Sequence, residues 1–267
     1  MAVSFLHISD MHYLRDYTGK GKEYARIVNS MQNPFIQLKQ LLKDVKEDCK
    51  FVVISGDICE YGEISDYASF RRKISNCFPD KPILITTGNH DIKENFCRGS
   101  LKHEPQDPLF TDETVNGIRV IMFDSSSQNH PSGMITDESC DLLENALKRK
   151  TGLPTFLVTH HHLLDGQFSM PVAGYPARLE EIIRKSEISA VLTGHTHHSF
   201  QSVFCGKPYY TCGSLSFLAD ETPDGCLTFA QHPSLNVFTV EGDDISLSLY
   251  ESKKKDRVLD KWKMEQQ

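Results

Sequence analysis

Aspartate, asparagine and histidine side chains occur in short groups along this 267-residue sequence, and each group follows a run of apolar residues. The groups together comprise Asp10, His12, Asp57, Asn89, His90, Asp91, His160, His195 and His197. A carboxylate can bridge two cations, while imidazole nitrogens and an amide oxygen can complete the coordination of each one. Mixed nitrogen and oxygen ligands favour Mn, Fe, Zn or Co over Ca or Mg. These residue types therefore indicate a site for two metal ions.

The charge of such a site would suit a phosphorylated ligand. Two divalent ions carry four positive charges, against two negative charges from Asp10 and Asp57. The site would stay positive and could hold a phosphate group, although the whole chain is acidic.

The apolar runs that precede these groups are typical of buried β-strands. They cover residues 3–9, 51–54, 83–85, 155–158 and 190–192. Helical patterns lie between them: Asn33 and Pro34 are typical of a helix start. Phe35, Leu38 and Leu41 then recur at helical spacing. Because sites in open α/β sheets gather at the carboxyl ends of strands, we expect the groups to converge in one cleft.

The composition is that of an ordinary globular domain, with 39% hydrophobic and 24% charged residues and a formal net charge of −7. The acidic balance and the lack of a basic stripe argue against a nucleic acid partner. No run approaches the roughly 18 apolar residues of a membrane span, and the N-terminus lacks a signal-peptide pattern. The eight cysteines form no C-x-x-C pair, which argues against a structural zinc finger. We therefore expect a cytoplasmic protein.

The ordered groups resemble the five sequence blocks of the calcineurin-like metallophosphoesterase superfamily. The blocks are Asp10-Met11-His12, Gly56-Asp57, Gly88-Asn89-His90-Asp91, His160 and Gly194-His195-Thr196-His197. Each block alone is a weak signal, but all five occur in order, each after a predicted strand. The resemblance implies an α/β fold with four layers, α/β/β/α, in which two mixed sheets face each other between flanking helices.

The resemblance also implies a role for each residue. One metal ion would be bound by Asp10, His12, Asp57 and His197. The other would be bound by Asp57, Asn89, His160 and His195, so that Asp57 bridges the two ions. Asn89 would in addition stabilise charge on the phosphoryl oxygens, and His90 would assist the leaving group without binding metal. The nucleophile would be a hydroxide that bridges the two ions, which could be Mn, Fe or Zn.

A finer similarity concerns the class III cyclic nucleotide phosphodiesterases and the related glycerophosphodiesterases. Gly62 and Tyr67 follow Asp57 at the spacing found in those enzymes. The class III enzymes and their relatives usually carry His-His-Pro-Pro at the fourth block, whereas this chain has His160-His161-His162-Leu163-Leu164. The first of these histidines aligns best with the ligand. His161 and His162 are either partners that orient a ligand or merely adjacent residues.

The first hypothesis is a phosphodiesterase that hydrolyses a cyclic nucleotide or a small phosphodiester. The alternative on the same fold is a phosphomonoesterase, such as a nucleotidase or a protein phosphatase. A third hypothesis is a non-catalytic scaffold, but such relatives tend to lose ligands that this chain retains. The expected partner is a small phosphorylated substrate, contacted by loops over residues 14–33, 94–113 and 163–175.

We expect one metallophosphoesterase domain over residues 1–267. Residues 1–200 would form the metal-binding core. Residues 201–250 would add mostly β-strands that complete the second sheet, and residues 251–267 would form a polar tail.

Overall fold

The computed structural model describes residues 2–19, 24–105, 107–127, 131–168 and 170–263. Its first sheet has five strands in the order β13-β12-β1-β2-β3, with β1 to β3 parallel and β12 and β13 antiparallel. These strands are β1 (Val3–Ile8), β2 (Cys49–Ser55), β3 (Ile83–Thr86), β12 (Ser234–Glu241) and β13 (Asp244–Glu251). The hairpin between β12 and β13 turns at Gly242, which has a φ of 62°.

The second sheet has six strands in the order β4-β5-β6-β7-β9-β8, with antiparallel strands at both edges. They are β4 (Phe110–Val115), β5 (Ile118–Phe123), β6 (Thr155–Val158), β7 (Ile188–Thr193), β8 (Phe200–Phe204) and β9 (Lys207–Thr211). All four residues of β6 are buried. Burial on both faces explains why this strand is a continuous apolar run in the sequence.

The described residues form six α-helices, of which two cover each of the two sheets and one contacts the strand at residues 257–263. They are α1 (Ala25–Ser30), α2 (Pro34–Leu41), α3 (Ile64–Cys77), α4 (Lys93–Phe96), α5 (Asp137–Lys148) and α6 (Arg178–Lys185), and a π-helical turn (Cys97–Leu101) continues α4. The predicted start of α2 is confirmed, since the Asn33 side chain accepts a hydrogen bond from the Phe35 amide. None of the helices formed by the described residues has the length and apolarity that a membrane span requires.

Three apolar clusters fill the spaces between the layers. Phe5, Phe51 and Phe238 of the first sheet pack against Phe156 of the second, and Phe5 lies 5.0 Å from Phe156 between ring centroids. A second cluster lies between the first sheet and helices α2 and α3, and a third lies between the second sheet and helices α5 and α6. The predicted four-layer α/β/β/α arrangement is therefore confirmed.

The prediction for the strands after residue 200 was wrong in part. Only β8 and β9 complete the second sheet, whereas β12 and β13 extend the first. The predicted polar tail also contains a strand. A third sheet consists of β10 (Leu218–Thr222), β11 (Cys226–Gln231) and β14 (Arg257–Lys263) in the order β10-β11-β14. Because β14 pairs with β11 about thirty residues earlier, its local sequence gives no sign of its partner; residues 264–267 lie outside the described part of the chain.

Arg119 in β5 holds the outer helix layer to the second sheet. Its buried guanidinium donates to both carboxylate oxygens of Asp112, at 2.8 and 2.7 Å, and to the carbonyl oxygens of Ala146 and Arg149, at 2.6 and 3.0 Å. We expect Arg119→Met to lower the free energy of unfolding by about 3 kcal/mol, because it leaves a half-buried carboxylate and two carbonyls without this donor. Urea denaturation would measure the loss. Arg178→Ala removes a partly exposed arginine from surface pairs and should change little; equal losses in the two variants would contradict this prediction.

Candidate metal centre

The predicted site residues lie just beyond the carboxyl ends of five parallel strands. Asp10 and His12 follow β1, Asp57 follows β2, and the block at residues 88–91 follows β3. His160 follows β6, and the block at residues 194–197 follows β7. The structure brings all of them to one place between the two sheets.

Five of these residues have backbone conformations that L-amino acids rarely adopt. The φ angles are 52° at Asp10, 46° at His12, 46° at Asp57, 74° at His195 and 62° at His197. A left-handed conformation at a residue other than glycine costs on the order of 1–3 kcal/mol. Hydrogen bonds between the loops, such as that from the Asp10 amide to the Gly56 carbonyl at 3.1 Å, hold these conformations. Such strain at one cluster of polar residues is typical of a functional site.

Two glycines let the loops approach each other closely. A Cβ atom at Gly88 would lie 2.2 Å from Asp57 Oδ1, and one at Gly56 would lie 2.5 Å from His160 Nδ1. Gly56 also has a φ of 100°. Because glycine has no Cβ atom, the Asp57 carboxylate can lie against Gly88 and the His160 ring against Gly56.

Asp57 is the central carboxylate of the site. Its Oδ2 atom lies 3.6 Å from His12 Nε2 and 3.4 Å from His160 Nε2, which belong to loops of different sheets. Its Oδ1 atom accepts a hydrogen bond from the His90 amide at 2.9 Å. One carboxylate therefore faces both halves of the site, as a bridging ligand must.

On one side of Asp57, atoms that can give an electron pair to a cation face each other. The ligand atoms of Asp10, His12, Asp57 and His197 all lie within 4.8 Å of one another. His12 Nε2 is 3.2 Å from His197 Nε2, which is 3.3 Å from Asp10 Oδ1. The other ring nitrogens donate elsewhere: His12 Nδ1 to Glu60 at 2.6 Å and His197 Nδ1 to the Phe217 carbonyl at 2.5 Å. Because burial lowers the pKa of His12, its Nε2 atom carries a lone pair.

Asp10 Oδ1 belongs to the same group of electron-pair donors, which are also hydrogen-bond acceptors. It is buried and has no hydrogen-bond partner among the described residues. Unpaired buried polar atoms are costly, so a bound cation would stabilise this cluster of acceptors. The residues present on this side of Asp57 therefore fit a metal ion.

A similar arrangement lies on the other side of Asp57. The Ser55 carbonyl accepts from His160 Nδ1 at 2.7 Å, which leaves His160 Nε2 to face Asn89 Oδ1 at 3.2 Å and Asp57. His195 Nε2 is buried and has no partner among the described residues. Burial and the neighbouring His160 hold the pKa of His195 well below its usual value, so its ring is neutral and can bind a cation.

The carboxylates give this site a strong negative field. Burial opposes the ionisation of Asp57, but His160 and His90 outweigh it and hold the pKa of that carboxyl well below its usual range. Burial likewise opposes the protonation of His160, yet Asp57 and Asp10 raise its pKa to about 9. The field that holds a proton on His160 would also attract a metal ion, which displaces that proton.

His90 lies at the edge of this cluster, and its ring is 4.7 Å from that of His12. Its Nδ1 atom is 2.9 Å from Glu60 Oε2. Burial lowers the pKa of His90, but Asp57 and Glu60 raise it to about 9. The two carboxylates therefore favour the protonated form of His90, which a general acid needs.

A model of the calcineurin-like phosphoesterase family matches residues 3–199. The chain belongs to the calcineurin-like phosphoesterase family. Enzymes of this family are hydrolases with a dinuclear metal centre, and this chain is a metal-dependent phosphoesterase. The two groups of acceptors on either side of Asp57 are consistent with that centre.

Named relatives of this phosphoesterase are similar to it along most of their length. A probable cyclic nucleotide phosphodiesterase of Rhodococcus erythropolis is 25% identical, over 80% of this chain and 71% of the relative. One from a Synechococcus species is 26% identical, over 87% of this chain and 89% of the relative. The glycerophosphodiester phosphodiesterase GpdQ of Enterobacter lignolyticus is 28% identical, over 72% of this chain and 70% of the relative.

Solved structures show the same fold. A dimetal phosphatase from Danio rerio aligns with a TM-score of 0.57 at 11% identity and covers 96% of this chain and 98% of the other. GAP50, the anchor in the inner membrane complex of Plasmodium, aligns with a TM-score of 0.58 at 17% identity, over 98% of this chain and 88% of the other. At these identities the likeness concerns the fold alone.

Glu60 is a residue of this phosphoesterase site that sequence reasoning missed. It is buried, follows Asp57 by three residues, and contacts both His12 and His90 through Oε2. Burial raises its pKa, but the two histidines outweigh this and lower it to about 2. The carboxylate thus fixes two rings at once. The signal available in the sequence was an acidic residue within the loop that follows Gly56-Asp57.

We expect Glu60→Gln to reduce both metal affinity and turnover about 10- to 100-fold, because the partners that orient ligand histidines have effects of this size. Glutamine retains the shape of glutamate but lacks the negative charge that accepts from His12 Nδ1 and attracts His90. Isothermal titration with Mn²⁺ and the rate of phosphodiester hydrolysis would measure the effect. Glu187→Gln, at an exposed glutamate, is the control. Wild-type affinity and turnover in Glu60→Gln would disprove the assigned role.

Asp91 anchors the loops instead of orienting His90. Its carboxylate accepts from the amides of Ile58, Cys59 and Gly88, at 3.1, 2.9 and 2.9 Å, and from the Tyr67 hydroxyl at 3.0 Å. Tyr67 is part of the spacing that resembles the class III enzymes. The structure shows that this tyrosine holds the loop that carries Asn89 and His90 in position.

His161 lies close to the site, but its nitrogens are occupied. Its ligand atom falls within 4.8 Å of those of His160 and His195. However, its Nδ1 atom bonds to Ser125 Oγ at 2.7 Å and its Nε2 atom to the Pro131 carbonyl at 3.1 Å. We therefore favour Asn89 over His161 as the third donor near His160.

His162 contacts His195, one of the predicted metal ligands. Its ring stacks on that of His195 with 5.7 Å between centroids, and its Nε2 atom bonds to the Met170 carbonyl at 3.2 Å. It thus connects a predicted ligand to the loop at residues 163–175, of which residue 169 lies outside the described residues.

A cleft of about 960 Å³ opens beside Asn89. Tyr61, Lys93, Asp107 and Asp124 are among the residues that line it. Lys93 Nζ lies 2.5 Å from an Asp107 oxygen and 2.6 Å from an Asp124 oxygen, so its charge is balanced within the cleft. Residues of the predicted substrate loop at 94–113 line part of this cleft, although residue 106 is not described.

Proposed function

We propose that this chain hydrolyses a cyclic nucleotide or another small phosphodiester at a centre of two metal ions. Mn, Fe and Zn suit the mixed nitrogen and oxygen ligands. The observation that carries the proposal is the pair of acceptor groups that share Asp57, one around His12 and His197 and the other around His160 and Asn89.

The proposed ligands divide between the two sides of Asp57. Asp10, His12, Asp57 and His197 hold one ion, and Asp57, Asn89, His160 and His195 hold the other. When bound, the two ions neutralise the phosphate and supply a hydroxide nucleophile near neutral pH. The protein fixes the geometry through Glu60, the Ser55 carbonyl and the Phe217 carbonyl, which hold the far nitrogens of three histidines.

His90 and Asn89 perform the remaining steps of the reaction. Protonated His90 donates its proton to the departing oxygen, and Glu60 holds the ring in place as the proton leaves. The Asn89 side chain places its oxygen towards the metal ligands and its amide nitrogen is available to a phosphoryl oxygen. Each residue therefore acts on a different part of the ester.

The charges of the cleft support a diester over a monoester. A phosphodiester carries one negative charge, while a monoester carries nearly two at neutral pH. Asp107, Asp124 and Glu138 line the cleft, and the nearby cation Lys93 is already paired with both aspartates. An acidic cleft repels the dianion more strongly, and its volume accommodates the second ester substituent.

A hydrolysis panel on the Mn-loaded protein tests this proposal. It compares bis(p-nitrophenyl) phosphate and cyclic AMP with p-nitrophenyl phosphate and AMP. We expect higher kcat/KM for the diesters and loss of this activity in Asn89→Ala. Preference for the monoesters would identify a phosphomonoesterase and overturn the proposal.

A cytoplasmic location is part of the same proposal. All eight cysteines lie among the described residues, and none is in a disulfide. Free thiols are typical of a reducing compartment.

A further inference from the structure

Two tyrosine rings flank His90, the residue that protonates the leaving group. The ring centroid of Tyr61 lies 5.1 Å from that of His90, and the centroid of Tyr24 lies 5.9 Å from it. Both tyrosines are partly exposed. The leaving oxygen must be within hydrogen-bond reach of His90, so both rings lie close to the place where the rest of the leaving group would be held.

Tyr61 is held rigidly on the cleft side of His90. Its amide donates to the His90 carbonyl at 2.9 Å, and its φ of 48° is unusual for a residue with a large side chain. The residue lines the cleft of about 960 Å³ together with Asn89. Backbone strain at a residue that faces a ligand cleft is typical of a recognition element.

Tyr24 is supported from behind by the third sheet. Its ring lies 5.6 Å from Trp262 of β14 in a stacked arrangement with an interplanar angle of 24°. Phe217 lies 6.3 Å from Tyr24 and 4.7 Å from His197, so this aromatic group continues to the metal centre. The third sheet thus supports aromatic side chains that lie beside His90.

We propose that Tyr24 and Tyr61, with Trp262 behind Tyr24, form a stacking surface for the nucleobase of a cyclic nucleotide. This inference rests on the proposed phosphodiesterase function and selects one leaving group for it. A planar base gains about 1–3 kcal/mol by stacking on an aromatic side chain, whereas glycerol presents no flat face to these rings. Tyr24 and Tyr61 are thus specificity-determining residues beside the general acid.

The first test compares two substrates that differ only in the base. They are 3′,5′-cyclic AMP and the 3′,5′-cyclic phosphate of 1-O-methyl ribofuranoside. In Tyr24→Ala and Tyr61→Ala, we expect the ratio of kcat/KM for the two substrates to fall about 5- to 150-fold, which is the stated stacking energy converted to a rate ratio. The corresponding phenylalanine variants retain the ring and should keep the wild-type ratio. Tyr250→Ala, at a tyrosine on the edge strand β13, is the matched control. Equal losses for both substrates would overturn the inference.

The second test measures binding without turnover. Trp262 is the only tryptophan in the sequence, and it lies against Tyr24. Its fluorescence can therefore report binding of 5′-AMP and of ribose 5-phosphate. We expect AMP to bind more tightly than ribose 5-phosphate to the wild type, and this difference to shrink in Tyr61→Ala.

The two tests separate the possible failures. If the wild type hydrolyses neither cyclic phosphate and does not hydrolyse bis(p-nitrophenyl) phosphate, the proposed phosphodiesterase function is wrong, and the fluorescence titration still decides whether the aromatic surface binds a base. Equal affinity of the wild type for AMP and ribose 5-phosphate would overturn the stacking surface even if both cyclic phosphates are hydrolysed.

Discussion

Asp57→Asn is expected to abolish stoichiometric binding of two metal ions and to lower kcat/KM for phosphodiesters by at least about 10³-fold. Asp57 Oδ2 faces His12 and His160, at 3.6 and 3.4 Å. The amide of asparagine is neutral, so both sides of the site lose the negative charge that they share. Its nitrogen would in addition donate to these rings. Several kilocalories per mole of charge stabilisation depend on the bound ions, and each 1.36 kcal/mol changes the rate tenfold.

Elemental analysis after metal loading, together with the rate of diester hydrolysis, would measure this effect. Asp243→Asn, at an exposed turn, is the matched control and should retain both metals and activity. Urea denaturation of the metal-free proteins shows whether Asp57→Asn still folds, so that loss of metal binding can be separated from loss of structure. Two tightly bound ions in Asp57→Asn would show that Asp57 is not the bridge.

His90→Ala is expected to lower kcat for cyclic AMP by about 10²- to 10⁴-fold and to leave the metal content unchanged. The ring lies outside both proposed ligand sets, although it is 4.7 Å from that of His12. The loss should be much smaller for bis(p-nitrophenyl) phosphate, since p-nitrophenolate leaves without protonation. A general acid predicts this difference between leaving groups, whereas a merely structural role for His90 does not.

The same pair of substrates provides the readout for His90. His232→Ala removes a partly exposed histidine that pairs with Asp256, and it should not change either rate. Equal losses for the two substrates, or loss of a metal ion from His90→Ala, would contradict the role of general acid.

The candidate site was predictable from sequence because its residues obey a local rule. Asp10, Asp57 and His160 each stand just after an apolar strand, and parallel strands place such residues at one edge. Tautomers and distances were not predictable, since they depend on partners such as the Ser55 carbonyl, which is 105 positions from His160. The burial of Glu60 could not be read from the sequence either, because an acidic residue in a loop is usually exposed.

The third sheet was harder to predict than the central layers. The sequence of β14 contains three basic residues and one aspartate, and only its pairing with β11 makes it a strand. Trp262 and Tyr24 are 238 positions apart, and no local pattern relates them. Tyr209 and Tyr210 are adjacent tyrosines in β9. In the structure Tyr209 is buried, and Tyr210 packs on Phe238 at 5.0 Å.

A titration of the metal-free protein with Mn²⁺ tests the central claim most directly, with the hydrolysis of bis(p-nitrophenyl) phosphate followed at each addition. If the acceptor groups on either side of Asp57 form one dinuclear centre, activity should rise until two equivalents per chain are bound and then stay constant. Full activity at one equivalent, or no diester hydrolysis at any amount of metal, would contradict the account.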